Sequence, residues 1–457
     1  MNLMRYCIIF EVKSLLFFGK HVIIKNVLLR YTKVFNIIML SIEKSPHKIY
    51  EYNIVVQAAA TASDQLYATT GSEAISASYS FVQTRGTQFA LNGQPMYVNG
   101  ANIYWLMIYG ANPYTKYAVT DVLQQAAGVG LNVVRTWAFN DGNDYNALQT
   151  SPGVFNENVF QGLDFAISEA KRLGIRLILS LVNNNPSFGG KQQYVQWAQQ
   201  YQPGANLPNE DSFYTDPTII SWYQNMVKTV LTRVNTVTGV AYRNEPAIFS
   251  WELINEPRCI SDPTGKTLQT WILDMASYVK SLDSNHLLEV GLEGFYGSEA
   301  FSRATVNPDS YFTQLGTDFI RNNQDWAIDF TTVHSYPDLW MPQLSEPEML
   351  GFMQNWVTAH IQDTGYLQKP VLFSEFGKSS WTQGFYEGER DNFMSLVYDA
   401  IYNSAVNQGP GAGALVWQLT TASLLSNTQD GFAFVLSQNP STAAIMQSQS
   451  YRMAQIT

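Results

Sequence analysis

Only two cysteines, Cys7 and Cys259, occur among 457 residues. One of them lies in an N-terminal head, so the body forms no internal disulfide and no cysteine-based metal site. No Asn-x-Ser/Thr acceptor with x other than proline is present, which leaves N-glycosylation without a site. No apolar run approaches the roughly 18 residues of a membrane span. There is no G-x-G-x-x-G after the first apolar strand and no phosphate loop, so nucleotide chemistry has no cradle. Charge is scarce as well: 14% of residues are charged, against roughly a quarter in an average soluble chain. The formal net charge of −10 argues against a nucleic-acid partner, which demands a basic footprint. With 46% apolar and 14% aromatic residues, disorder is excluded too.

What is present divides unevenly. Residues 1–50 hold eight Lys or Arg against Glu11 and Glu43, a net of +6, so the remainder carries −16. The apolar patches of this head are cut by Lys, Arg or His before they reach the length of a secretory core, although Ala58–Ser63 resembles a cleavage region. The head reads as an aberrant targeting segment, as a plain basic extension, or as a stretch without a role. Residues 62–80 are rich in Ser, Thr and Ala, as linkers are. The expected organisation is therefore an N-terminal extension and linker over 1–80 and one folded domain over 81–457.

From Phe81 the register changes. Phe81–Ala90, Asn92-Gly93 and Met96–Asn99 predict a hairpin, with Asn-Gly supplying the positive φ angles of a tight turn. Eight apolar runs follow: 96–103, 131–137, 175–182, 248–254, 287–292, 330–334, 371–376 and 414–418. Helical patterns separate them, such as Val159, Leu163, Ile167 and Ala170, or Leu268, Ile272, Met275 and Val279. Near-continuous apolar strands alternating with amphipathic helices predict an α/β fold with a buried parallel sheet. Eight units over this length fit a single (β/α)8 TIM barrel carrying an N-terminal β-hairpin, rather than an open doubly wound sheet.

Catalysis in such a barrel sits at the C-terminal ends of the strands. The residues closing the runs are Arg135 and Trp137, Asn255, Glu256 and Arg258, Glu293, His334 and Tyr336, Glu375, and Trp417. Two carboxyls with a His, a Tyr, an Arg, an Asn and indoles form the inventory of glycosidic bond cleavage. One carboxyl protonates the leaving oxygen and one attacks the anomeric carbon. Alternation along a strand puts Glu252 on the face of Glu256 but about 13 Å deeper at roughly 3.3 Å per residue, so Glu252 is expected inside the barrel or in an ion pair. Glu293 is a third rim candidate. Trp105, Trp137, Trp340 and Trp381 are candidate groove aromatics for an uncharged sugar chain, or else core residues.

The motifs FVQTRG (81–86), ANIYWL (101–106), VRTWAF (134–139), WELINEPRC (251–259), VHSYPD (333–338) and SEFGK (374–378) resemble those of plant-type endo-β-1,4-mannanases of glycoside hydrolase family 5. The resemblance runs from about Phe81 to the C-terminus. It implies Glu256 as general acid/base and Glu375 as nucleophile. Asn255 would hold the 2-hydroxyl of the sugar, and His334 and Tyr336 would orient the site. Tyr336 and Arg135 would tune the nucleophile, Trp417 would be the platform in subsite −1, and Arg258 would touch the sugar on the leaving side. It implies no metal and no cofactor, a β-mannan polysaccharide as partner, a monomer, and a secreted or cell-wall location. Glu256 is then expected to have a raised pKa while Glu375 stays anionic beside Arg135, with the carboxyls about 5–5.5 Å apart as retaining chemistry requires. Two other readings stay open: an endo-β-1,4-glucanase on the same machinery, and a catalytically silent barrel that binds wall glycan.

Overall fold

The computed structural model describes residues 80–300 and 302–456; the expectations for residues 1–79 lie outside the described residues. The described part opens with three antiparallel strands, β1 (Gln83–Arg85), β2 (Gln88–Leu91) and β3 (Gln94–Met96). The expected hairpin is thus a three-stranded meander. Gly86, with φ at +58°, turns the chain back within the stretch expected to be one long arm, and Asn92-Gly93 make the second turn with φ of 54° and 78°.

Eight parallel strands follow: β4 (Val98–Asn102), β5 (Val133–Trp137), then, after a small ribbon β6 (Gln149–Ser151) and β7 (Val154–Phe155), β8 (Arg176–Ser180), β9 (Ile248–Glu252), β10 (Leu287–Glu289), β11 (Thr331–Ser335), β12 (Val371–Phe376) and β13 (Gly411–Val416). Their order, β10-β9-β8-β5-β4-β13-β12-β11, is that of a barrel. No ladder joins β10 to β11; the seam is crossed by the Asp329 amide donating to Leu288 O (2.8 Å) and the His334 amide donating to Glu293 O (2.9 Å). Every residue of the eight barrel strands is buried, as a sheet covered on both faces requires.

The long helices are α1 (Lys116–Gly128), α2 (Glu157–Arg172), α3 (Gly190–Tyr201), α4 (Pro217–Thr232), α5 (Lys266–Leu282), α6 (Glu346–Leu367), α7 (Glu387–Val406) and α8 (Pro440–Met453). The helical patterns fall on the inward faces: Val159, Leu163, Ile167 and Ala170 are buried on α2, as are Leu268, Ile272, Met275 and Val279 on α5. Start signals are local. Asn156 caps α2 through the Asn158 amide, Asp216 caps α4 with Pro217 at its first position, and Ser345 forms a capping box with Glu348.

The meander closes the N-terminal end of the barrel. Phe89 packs edge-to-face on Phe249 (5.0 Å) and Phe330 (5.2 Å), with Val98, Val133, Ile178, Leu287 and Leu372 around them. That end is a sealed hydrophobic plug. The polar residues are gathered at the opposite end, where the strands finish.

Candidate active site

Arg135, on the second barrel strand, β5, lies at the centre and is fully buried. A guanidinium has five N–H donors, and each has a partner. Nε and Nη2 form a fork on Glu252 (2.5 and 2.7 Å), Nη2 also reaches Asn255 Oδ1 (2.6 Å), and Nη1 reaches Asn102 Oδ1 (3.0 Å) and Glu375 Oε1 (2.5 Å). Glu252 is therefore the interior ion-paired residue its parity implied. Arg135 bridges the end of the fourth strand, β9, to the end of the seventh, β12.

Glu375 Oε2 accepts the Tyr336 hydroxyl at 2.5 Å, and His334 Nδ1 stands 3.5 Å from the same oxygen. His334 Nδ1 also lies 2.7 Å from Glu256 Oε1. One imidazole nitrogen thus faces both carboxyls, and an oxygen of each lies within 4.8 Å of one of the other. Carboxyl oxygens this close are what the roughly 5–5.5 Å carboxyl spacing of retaining glycosidases would bring about. The two differ in setting: the Glu256 side chain is 24% exposed and the Glu375 side chain 5%.

Glu256 sits four residues past Glu252 with φ at +53°, a left-handed conformation uncommon for a residue with a side chain. Its amide donates to Gly291 O at 2.8 Å. Gly291, at φ +97°, comes so close that a Cβ there would lie 2.0 Å from Ile254 O. Only glycine lets the β10 end pin the turn that carries Glu256.

Burial pushes the Glu256 carboxyl up, opposed by Arg258 and Arg135. Burial pushes Glu375 up as well, against His334, Arg135 and the Tyr336 hydroxyl. Burial in the barrel mouth outweighs one shared guanidinium. Among the described residues Glu375 has a donor on each oxygen, Arg135 and Tyr336, whereas Glu256 faces only the His334 ring, so a single proton shared by the pair resides on Glu256. Burial lowers the His334 pKa, leaving a neutral ring able to accept that proton's hydrogen bond at Nδ1.

The remaining expectations fall out unevenly. Asn255 gives its amide to Asn183 Oδ1 (3.0 Å) while its oxygen takes Arg135. Trp417 is half-buried, its Nε1 donates to Asp430 (2.7 Å), and its ring stacks on Tyr104 at 5.9 Å and 14°. Trp137 is buried beside it at 5.9 Å, with Arg135 over its ring. Arg258 does not project freely: it forks onto Glu293 at 2.8 and 2.6 Å, which assigns the third rim carboxyl to a structural pair. Glu293 nonetheless has its pKa pushed up to about 7, by burial first and by Glu256 second. Trp105 is a correction. It is fully buried and its Nε1 donates to Leu419 O, because it lies past the strand end in a turn folded under β13's loop. Trp340 packs in the core layer with Phe295 and Trp356, whereas Trp381 is 68% exposed. Tyr104, Asn102, Asn183 and Asp430 were missed. Asn102 alone carried a signal, as the polar residue closing the first apolar run.

Comparison with known proteins agrees with this geometry. Residues 79–433 match the family described as GH family 5 beta-mannosidase-like. The chain is 51% identical over 377 residues to mannan endo-1,4-beta-mannosidase 4 of Solanum lycopersicum, covering 82% of this chain and 92% of that one. It is 51% identical over 383 residues to mannan endo-1,4-beta-mannosidase 1 of Oryza sativa subsp. japonica, covering 83% and 88%. Among solved structures, the endo-beta-1,4-mannanase of Thermotoga petrophila superposes with a TM-score of 0.69 at 32% identity, covering 80% of this chain and 78% of that one. The endo-1,4-beta-mannanase of Rhizomucor miehei gives 0.69 at 30% identity, covering 82% and 100%. Since the matched stretch takes in all eight barrel strands and both carboxyls at its mouth, the chain belongs to the β-mannosidase-like proteins of glycoside hydrolase family 5.

Proposed function

We propose that this protein is a retaining endo-β-1,4-mannanase that cuts internal bonds of mannan, glucomannan and galactomannan by double displacement. The observation that carries the mechanism is the Glu256–Glu375 pair around one His334 nitrogen, with carboxyl oxygens within 4.8 Å. In the first step a Glu375 carboxylate oxygen attacks the anomeric carbon while the Glu256 proton passes to the glycosidic oxygen, which leaves with the bond's electron pair. In the second, Glu256 takes a proton from water, the water oxygen attacks the same carbon, and Glu375 is released as carboxylate. The half-buried Trp417 ring offers an apolar face for a neutral sugar.

The choice of mannan over glucan rests on the names of the relatives at about 50% identity. Full-length protein assayed on mannan, glucomannan and carboxymethyl cellulose tests it: short mannooligosaccharides with retained anomeric configuration are expected. Activity on carboxymethyl cellulose without activity on mannan overturns the substrate. Such polymers are met in the wall, so secretion is part of this reading; protein found solely inside the cell contradicts it.

A further inference from the structure

Behind the two rim carboxyls lies a third carboxyl that the reaction does not use. Glu289 on β10 pairs in register with Glu252 on β9, and neither side chain has exposed surface. Two buried carboxylates side by side need cations. The one guanidinium at hand, Arg135, has already spent its five donors on Glu252, Glu375, Asn102 and Asn255. Among the described residues Glu289 receives only the Thr332 hydroxyl, at 3.3 Å on Oε2, and the Gly291 backbone amide, and Oε1 has no donor. An ionised Glu289 would be a strongly disfavoured second anion. A carboxylic acid there has a natural acceptor in Glu252.

We infer that Glu289 is a positioning residue kept as a neutral carboxylic acid, whose O–H donates to Glu252 and so keeps Arg135 divided between the barrel interior and Glu375. The charged groups that act on it are Glu252 on β9 and Arg135 on β5, and Arg135 in turn holds Glu375 on β12. Burial and the adjacent Glu252 push Glu289 well above the ordinary carboxyl range, while burial of Glu252 is outweighed by Arg135, which holds it below that range. With Glu289 neutral, one cation meets two anions, and the single excess negative charge is available at the rim on Glu375. Without the Glu289 donor, Glu252 draws more on Arg135 and leaves Glu375 less stabilised as an anion.

This rests on Glu375 being the nucleophile, so the test has one arm that needs no turnover. In the full chain at pH 7, infrared difference spectra between wild type and Glu289→Gln are expected to show loss of a protonated-carboxyl stretch. Loss of a carboxylate stretch instead overturns the inference. In the kinetic arm, Glu289→Met, which fills the space but cannot donate, is expected to lower kcat about tenfold with little change in KM and to move the acid limb of kcat/KM upward. Glu289→Gln, whose amide donates as the acid did, should recover most of that rate and leave the acid limb in place. A Gln variant whose acid limb falls by about one unit shows that Glu289 was an anion and overturns the inference. So does a Met variant that keeps the wild-type rate and pH profile and loses only thermal stability. If wild type fails to cut mannan, the proposed function fails while the infrared result still decides the protonation of Glu289.

Discussion

The Tyr336 hydroxyl donates to Glu375 Oε2 at 2.5 Å, on the side of the carboxyl opposite to Arg135. Both groups are buried, and burial together with the Glu375 charge holds the phenol well above its usual pKa, so it remains a donor at all working pH values. Tyr336→Phe removes one of the two short bonds that favour the Glu375 anion. The acid limb of the pH–rate profile should then shift upward and kcat should fall on the order of 10²-fold, the scale of losing one preorganised donor. An unmoved acid limb would show that Tyr336 does not tune the nucleophile.

Glu256 and Glu375 have separable roles. Glu256→Ala removes the proton donor, so polymer hydrolysis should fall by roughly 10²–10⁴-fold. An aryl β-mannoside with a good leaving group needs no proton, and should still give a burst of released phenol followed by slow turnover. Glu375→Ala should abolish both phases. If Glu375→Ala gives the burst and Glu256→Ala does not, the roles are exchanged.

Both glutamates were legible in the sequence because each apolar run ends abruptly at a polar residue of known parity. The same reasoning placed Glu252 inside the barrel, where Arg135 holds it. What escaped were pairings across strands. Arg258 meets Glu293 from 35 positions away, and no local pattern says which rim charge a long side chain will reach. Glu289 was hidden in the run Leu287-Leu288-Glu289-Val290, although a charged residue at the centre of a buried strand is itself a signal. Trp105 failed for another reason. It lies three residues past β4, beyond the reach of strand alternation, and the fold uses it as packing. The first turn of the meander escaped because Gly86 sits among polar residues, Gln83–Gln88, where no apolar alternation marks the end of one strand and the start of the next.

Trp417 is oriented from two sides: Asp430 accepts its Nε1 at 2.7 Å and Tyr104 stacks on its ring. As a platform for a neutral sugar it acts by area, worth about 1–3 kcal/mol for one ring on another. Trp417→Ala should lower kcat/KM for mannan by about 10- to 100-fold, and Asp430→Asn, which leaves the ring in place but weakens its hold, should lower it less. Equal losses in the two variants would mean that the ring contributes through its orientation rather than its surface.

Asp141, in the loop after β5, is 1% exposed, and among the described residues its one side-chain donor is Gln149, at 3.0 Å on Oδ1, with none on Oδ2. Burial pushes its pKa up to about 7, with Gln149 the sole opposing group. In the unfolded chain an aspartate titrates near 3.9, so the folded state holds a proton that the unfolded state has lost throughout the window between about 4 and 7. The unfolded state binds fewer protons there, and stability must fall as pH rises through the window, then level off above it. Asp141→Asn keeps the Gln149 hydrogen bond and removes the titration. The variant and the wild type should unfold alike near pH 4, and above pH 7 the variant should be more stable by about 1–3 kcal/mol. Urea midpoints at pH 4, 5.5 and 8 measure this directly, and parallel curves at all three values would show that Asp141 is ionised without penalty in the folded loop.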